Sequence, residues 1–158
     1  MKSWRPPRDI RVKVLGLHWR EGRLLAAEVR GDDGSLRGVR PLGGGVEFGE
    51  RLEEALRREF REELGIAVEP TGGPWLAENL FSFENSPGHE ILFLYDVAFP
   101  AGVFEGLDEI VFHEDDGTPA RARWWDLRDL DRDGGPALYP SGLKARLIAD
   151  REGGPSAP

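Results

Sequence analysis

The residues with the clearest chemical potential are glutamates that fall on the apolar side of a predicted helix. The stretch from Gly44 to Ile66 predicts a helix over residues 51–64, at about 100° of rotation per residue. Its apolar stripe contains Leu52, Ala55, Leu56 and Phe60. Glu59 and Glu63 fall within this stripe, and Glu62 lies on its flank. A solvated acidic helix would instead keep its carboxylates on the outer face.

Glu59 and Glu63 are also separated by four positions, so their like charges repel one another. This repulsion costs a helix about 0.2–0.5 kcal/mol in water, and more where water is partly excluded. A proton or a divalent cation would relieve it. Hard cations such as Mg²⁺ prefer oxygen ligands, and they often bind carboxylates together with substrate phosphates. The pattern therefore indicates a metal on the core side of the helix, without identifying a reaction.

The same stretch resembles the Nudix box, G-x5-E-x7-R-E-U-x-E-E-x-G-U, in which U is a bulky apolar residue. The matching positions are Gly44, Glu50, Arg58, Glu59, Phe60, Glu62, Glu63, Gly65 and Ile66. At ordinary residue usage, a chance match at a given start is rarer than about one in 10⁹. Leu42 departs from the proline that many members carry before the paired glycines, which should alter the turn and spare the chemistry. The resemblance implies an α/β protein, an α/β/α sandwich with a mixed β-sheet.

The resemblance also implies a reaction, the hydrolysis of a diphosphate linkage by water attack at phosphorus, with Mg²⁺ or Mn²⁺ as cofactor. The implied metal ligands are Glu59, Glu63, the supporting Glu62 and the carbonyl of Gly44. The implied catalytic residues are Arg58, Glu59 and Glu62. Arg58 is expected to orient carboxylates, because a guanidinium can grip two oxygens at once. The alternative for Arg58 is an outward helical ion pair with Glu54.

The identity of the general base stays open at this point. In some Nudix proteins it is a box glutamate, here Glu59, and in others it comes from beyond the box. The candidates beyond the box are Glu90, Glu109, Glu114, Asp115 and Asp116. The acidic run that ends at Gly117 is also typical of a hydrophilic turn, and we favour that interpretation.

The expected substrate is a small phosphate-containing molecule, a nucleoside di- or triphosphate or a related nucleoside-diphosphate compound. ADP-ribose and diadenosine-polyphosphate enzymes of the family tend to carry a proline or a tyrosine at a set distance past the box. This chain has neither in the corresponding stretch, Leu80–Phe83, which disfavours both substrate classes. A non-catalytic Nudix-like nucleotide-binding or regulatory module is the alternative, although a pure binder does not need all the box glutamates. A Ca²⁺ buffer is disfavoured, because the acidic run is too short for an EF-hand loop.

Contacts to substrate phosphates must come from local groups, because the net charge of the chain is −8. Arg40 is the best-placed cation, four residues before Gly44. Gly44 and Gly45 lack a Cβ and so allow the backbone to approach a ligand closely. The other basic residues of the N-terminal part are typical of a solvated sheet edge, although Arg23, Arg30 and Arg37 are further candidates.

The amino-acid composition limits the classes of protein to which the chain can belong. The chain has 158 residues, a charged fraction of 32% and no cysteine, which favours one globular domain and excludes disulfides and zinc–thiolate sites. The negative charge disfavours non-specific binding to nucleic acid or to anionic membranes. No apolar run has the length of a membrane span, and the first residues lack an apolar signal core. We therefore expect a cytoplasmic protein, and the sequence leaves a homodimer open.

Turn signals divide the chain into an N-terminal arm (1–9), a single domain (10–150) and a disordered tail (151–158). Strands are predicted over residues 10–14, 24–29, 36–40, 75–83, 89–99, 110–112 and 121–125. Residues 43–45 and 70–74 are predicted as loops, and a final helix is predicted over residues 141–149. Strands with one early and one late helix predict a mixed sheet between helical layers, in agreement with the resemblance.

Overall fold

The computed structural model describes residues 4–114 and 116–152. The strands are β1 (Ile10–Leu17), β2 (Trp19–Arg20), β3 (Arg23–Arg30), β4 (Leu36–Arg40), β5 (Leu42–Gly45), β6 (Glu69–Phe83), β7 (Ser86–Ala98), β8 (Glu109–His113), β9 (Pro119–Trp125) and β10 (Ala137–Leu138). The helices are α1 (Leu52–Leu64) and α2 (Leu143–Glu152), with a 3₁₀ turn at Leu127–Asp129. The predicted α/β class is confirmed.

The strands form two mixed sheets, where the sequence predicted one. The first sheet has the order β5-β1-β7-β6, and the second has the order β10-β4-β3-β9-β8 with β2 paired to β3. In the first sheet, β1 pairs parallel with β7 and the other pairs are antiparallel. The parallel pair joins segments that are far apart in the chain, so alternation of residue types alone does not reveal it.

Helix α1 forms where the apolar spacing predicts it. Arg51 is the N-cap, so the helix begins one residue after the predicted start. Glu53 and Glu54 lie in the first turn, where negative charge interacts favourably with the helix dipole. Gly65 adopts the left-handed conformation (φ 70°), and its N–H donates to the carbonyl of Arg61. This is the C-cap that the sequence predicts.

The core has two parts. In the first, Leu56 and Phe60 of α1 pack with Val14, Tyr95 and Val97 of the first sheet. Gly16 makes room for this contact, because a Cβ there would overlap the ring of Phe60. The second part joins both sheets to α2 and includes Leu15, Leu24, Val39, Leu92 and Leu147. The first part of the core fixes α1 against the first sheet, beside its edge strand β5.

Three segments differ from the prediction. The glycine run predicted as a loop forms β5, antiparallel to β1. The loop predicted over residues 70–74 is wrong, because β6 begins at Glu69 and pairs with the end of β7 through two irregularities in register. Helix α2 extends to Glu152, past the predicted domain boundary. The rest of the predicted tail (153–158) and the first three residues of the predicted arm lie outside the described residues. The domain boundaries stay predictions.

Within residues 4–114 and 116–152, no helix combines the length and the apolar character needed to cross a lipid bilayer.

Candidate active site

The centre of the site is the contact between Glu59 of α1 and Gly44 of β5. Glu59 is buried, with 4% of its surface exposed, as its position in the apolar stripe predicts. Gly44 lies opposite Val14 in the register of the first sheet. A Cβ on Gly44 would lie only 2.5 Å from each oxygen of the Glu59 carboxylate. The carboxylate therefore occupies space that only glycine leaves open.

Arg58 holds this carboxylate in place. Its Nη1 donates to Glu59 Oε1 at 2.9 Å and to Glu62 Oε2 at 3.3 Å. Its Nη2 donates to the carbonyl of Gly45 at 2.8 Å. The remaining donors form a bidentate pair with Glu50, at 2.7 and 2.9 Å. Arg58 thus ties the box glutamates to the glycine strand.

The bidentate partner of Arg58 is Glu50, and the role of Arg58 in orienting the metal-binding carboxylates stays a prediction. The sequence alternative was an outward pair with Glu54, whereas Arg58 turns to Glu50 instead. The hydrogen bonds from Arg58, with that from the backbone N–H of Glu47, lower the pKa of Glu50 to about 2. Glu50 in turn raises the pKa of Arg58 above its ordinary value. Both groups therefore stay charged across the physiological range.

The other two box glutamates are more accessible than Glu59. Glu62 is exposed and Glu63 is half-buried. Among the described residues, no three carboxylate or imidazole groups stand together as a ready-made metal cluster. Metal binding by Glu59, Glu62, Glu63 and the carbonyl of Gly44 stays a prediction.

Arg40, the predicted phosphate ligand, lies beside an acid. Its Nη1 is 3.9 Å from Glu90 Oε2, and Lys13 Nζ is 2.8 Å from the same oxygen. Asn79 donates to the other oxygen at 3.5 Å. Arg40 belongs to the second sheet and Glu90 to the first, so this group of charges joins the two sheets. Its role toward phosphate stays a prediction.

Glu90 is poorly suited to accept a proton. Burial acts to raise its pKa, but Lys13 and Arg40 outweigh burial and hold the pKa below its ordinary value. Burial, together with Arg40, lowers the pKa of Lys13. A general base works best with a pKa close to the working pH. The low pKa of Glu90 therefore argues against it as the general base, and the identity of that base stays a prediction.

Three further acidic candidates, Glu109, Glu114 and Asp116, lie in and beside a hairpin turn. Glu109 pairs with Arg121 on the neighbouring strand. The N–H of Gly117 donates to the carbonyl of Glu114, and the N–H of Thr118 donates to Asp116 Oδ1 at 2.9 Å. These bonds confirm the interpretation of this acidic run as a hydrophilic turn. Asp115 lies outside the described residues.

Two cations near the site were missed by sequence reasoning. Lys13 is the closest partner of Glu90, and Arg11 lies beside the glycine strand, with Nη2 3.2 Å from the position of a Cβ on Gly45. A signal was present, because Arg11 and Lys13 alternate with Val12 and Val14 and must share one face of β1. Alternation alone indicates a solvated face, whereas the pairing of β1 with β7 brings Lys13 against Glu90.

Comparison with known proteins decides the family. The family model described as the NUDIX domain matches residues 7–143, which span the glycine strand, α1 and both sheets. The chain belongs to the Nudix family. The glutamates and Arg58 of the site are therefore those of a Nudix box within a Nudix domain, and not a chance match in another fold.

Relatives and solved structures agree with this membership. The nucleoside triphosphatase NudI of Klebsiella pneumoniae is 51% identical to this Nudix chain over 66 residues, 41% of this chain and 47% of the relative. NudI of Escherichia coli O139:H28 is 52% identical over 56 residues, 35% of this chain and 40% of the relative. The matches thus span less than half the length of these curated relatives.

The Nudix fold extends over most of the chain. The crystal structure of a MutT NUDIX hydrolase from Burkholderia pseudomallei has a TM-score of 0.59 at 25% identity, covering 89% of this chain and 99% of that one. The solution structure of the E. coli ORF135 protein has a TM-score of 0.59 at 22% identity, covering 94% and 95%. At this identity, the likeness to the ORF135 protein supports the fold alone and not a function.

Proposed function

We propose that this Nudix protein hydrolyses a diphosphate linkage in a nucleoside triphosphate or diphosphate, with a divalent cation as cofactor. One observation carries the proposal. The buried carboxylate of Glu59 is held between Gly44 and the guanidinium of Arg58. Arg58 compensates the charge of this buried carboxylate, which would otherwise be costly to bury, and the pair lies in the Nudix box of a Nudix domain, which supports a catalytic role for Glu59.

The names of the relatives support the choice of substrate. The two NudI proteins are described as nucleoside triphosphatases, and the region of similarity is 51–52% identical. A nucleoside triphosphate is therefore the first substrate class to test. No contact within the described part of the chain selects a base or a sugar, so the panel must include several of each.

The donor chemistry of the site fits a divalent cation. Nudix hydrolases generally use divalent metals, and carboxylates such as Glu59 and Glu63 are the hard oxygen ligands that Mg²⁺ and Mn²⁺ prefer. Mg²⁺ is commonly held by one or two carboxylates together with substrate phosphates, so it does not require a ready-made protein cluster. When bound, the cation would polarise phosphoryl oxygens and make bound water more acidic.

The other roles in the proposed hydrolysis are assigned to side chains and backbone groups of the chain. Arg58 fixes the carboxylate of Glu59 through a hydrogen bond of 2.9 Å. Glu59 accepts a proton from the attacking water, whose oxygen becomes bonded to phosphorus as the bridging P–O bond breaks. Glu62 and Glu63 supply further oxygens, and Gly44 and Gly45 let the backbone approach the phosphates. Cytoplasmic location stays part of the proposal.

The test is a panel of nucleoside di- and triphosphates with Mg²⁺ or Mn²⁺ in ¹⁸O-labelled water, with products identified by mass spectrometry. We expect the label on one phosphate product, which shows which phosphorus is attacked. Glu59→Gln should remove most turnover. Glu53→Gln is the matched control, because Glu53 lies on the exposed face of α1 and pairs with Arg57 at 3.6 Å.

Two outcomes would contradict the proposal. Full turnover by Glu59→Gln would remove this carboxylate from the chemistry. If nucleotides bind and none of them is hydrolysed, the protein is a regulatory Nudix module, which is the alternative that the sequence left open. Equal thermal stability of the two variants is the control that makes either result interpretable.

A further inference from the structure

The N-terminal arm places an aromatic side chain beside the group of charges that joins the two sheets. The ring of Trp4, in this arm, contacts Phe83 at the end of β6, with ring centroids 5.6 Å apart and ring planes at 58°. Lys13 Nζ lies 5.9 Å from the centroid of the Trp4 ring. The same nitrogen is 2.8 Å from Glu90 Oε2. Trp4 therefore lies next to the charges between the sheets.

Contacts with the second sheet hold this part of the arm in place. Arg5 donates from both of its terminal nitrogens to the carboxylate of Asp32, in the turn between β3 and β4. Its Nη1 also donates to the carbonyl of Trp4 at 2.8 Å. The turn between β6 and β7 lies close by, because Arg37 of β4 pairs with Glu84 at 3.2 Å. The ring of Trp4 is therefore held where the two hairpins approach each other.

The Trp4 side chain is nevertheless accessible. It is 53% exposed, whereas tryptophan is highly buried on average. The rings of Trp4 and Phe83 are already in contact, so a flat ligand cannot enter between them and must stack on the exposed surface of Trp4. Every nucleobase has a π-face that can stack on an aromatic side chain. Trp4 thus offers a platform for a base.

The charges next to this platform suit the phosphates of a nucleotide. Three cations and one acid interact here, namely Lys13, Arg11, Arg40 and Glu90. Local positive charge on a protein whose net charge is −8 attracts anions to that place. Lys13 also lies opposite Gly45 in the register of the first sheet, and the missing Cβ of that glycine lets phosphates approach the backbone. The platform and the glycine strand are therefore on either side of the same cations.

We propose that Trp4, supported by Phe83, is the platform on which the base of a nucleotide substrate stacks. This inference rests on the proposed hydrolysis of a nucleotide, and it adds the residue that distinguishes nucleotides from phosphate chains without a base. Stacking uses the face of the base and not its hydrogen-bonding edge, so the platform accepts purines and pyrimidines alike.

The experiment measures binding to the full chain by calorimetry with Mg²⁺, and it needs no turnover. The probes are analogues of ATP and CTP in which methylene groups replace the oxygens that bridge phosphorus atoms. The corresponding analogue of tripolyphosphate, which has no base, is the third probe. Trp4→Leu should raise the Kd of both nucleotide analogues by at least about tenfold, with less than about a twofold change for the third probe. Trp4→Phe keeps a ring, so its Kd values should stay within about threefold of the wild type.

Trp75→Leu is the matched control. Trp75 lies on the same strand as Phe83, but it pairs with Leu94 at the other end of that strand. All three Kd values should therefore stay within about twofold of the wild type. Circular dichroism checks that each variant folds.

Three results would overturn the proposal. The first is a Kd for the nucleotide analogues that Trp4→Leu leaves unchanged. The second is an equal loss of affinity for the tripolyphosphate analogue, because the arm would then act through the charges around Lys13 and not through a base. The third is wild-type protein that binds the analogue without a base as tightly as the two nucleotide analogues.

Failure of the platform and failure of the proposed hydrolysis give different results. If the protein hydrolyses nucleotides and Trp4→Leu binds the analogues like the wild type, the hydrolysis stands and the platform is wrong. If Trp4→Leu weakens only the nucleotide analogues and no nucleotide is hydrolysed, the platform stands and the hydrolysis is wrong.

Discussion

The carboxylate of Glu59, on α1, fills the position that a side chain on Gly44, in β5, would occupy. The absence of a Cβ on Gly44 is therefore what makes this contact possible. It lets α1 pack closely against β5 while a charged group lies between them. Arg58 then balances the charge of that group from the side, at 2.9 Å.

Gly44→Ala should reduce turnover strongly, by at least about tenfold, because the added methyl group displaces the Glu59 carboxylate. The measurement is kcat with the best nucleotide of the panel, together with the melting temperature. Gly45→Ala should cost less, since among the described residues its Cβ would meet only the flexible end of Arg11, at 3.2 Å. Equal losses in both variants would point to the strand backbone as the cause, and not to the carboxylate.

Arg58→Lys should lower both activity and stability. A lysine keeps the charge, but it cannot bind Glu50 through two donors while it also reaches the carbonyl of Gly45. We expect the free energy of unfolding to fall by about 1.5–3 kcal/mol, the range for hydrogen bonds to charged groups. The control is Arg57→Lys, whose surface pair with Glu69 (3.1 Å) should be worth less than about 1 kcal/mol. Denaturant titrations that give equal losses would contradict this account.

Glu90→Gln tests whether the inter-sheet charges are structural. The change leaves Lys13, whose side chain is 13% exposed, without its acid, so we expect a loss of about 3 kcal/mol in the free energy of unfolding. The double variant Lys13→Met/Glu90→Gln should recover most of this stability, because it removes both charges. The kcat of this double variant should also return toward the wild-type value. Recovered stability with kcat still lost would instead make Glu90 the general base.

His18 should make stability depend on pH. It stacks on Phe99 with ring centroids 3.7 Å apart, and its Nδ1 accepts a hydrogen bond from Trp124 Nε1 at 3.1 Å. Burial, with Arg20 nearby, lowers its pKa from 6.5 to about 4. The unfolded chain therefore binds a proton below pH 6.5 that the folded protein accepts only near pH 4.

The contribution of His18 to stability is thus complete above pH 6.5 and is lost as the pH falls toward 4. Thermal melts of the wild type should show a declining melting temperature across this window. His18→Gln should show a flatter profile, while His113→Gln, an exposed control, should follow the wild type. A wild-type profile in the His18 variant would exclude this group as the cause.

The sequence predicted the parts of the site that are local in the chain. Helical periodicity placed Glu59 on the inner face, and the glycine after Leu64 predicted the end of the helix, because both depend on contacts within a few residues. Arg58 was expected to contact carboxylates, but Glu50 was not predicted as its bidentate partner. Helical spacing offered Glu54, whereas the fold of the loop before α1 brings Glu50 within 2.7 Å.

Long-range pairing accounts for what sequence reasoning missed. The glycine run has no side chains to pack, so its pattern carries no strand signal. Its pairing with β1 and the parallel pairing of β1 with β7 become evident only in three dimensions. The same pairing turns Lys13 toward Glu90, which alternation of residue types alone left on a solvated face.

Because Gly44 and Gly45 belong to a hydrogen-bonded strand, the wall behind the Glu59 carboxylate is as rigid as the sheet itself. The amides of β5 that pair with β1 should exchange with deuterium more slowly than those that point away from the sheet, because β5 is its edge strand. The reactive geometry therefore needs no loop closure to assemble on this side.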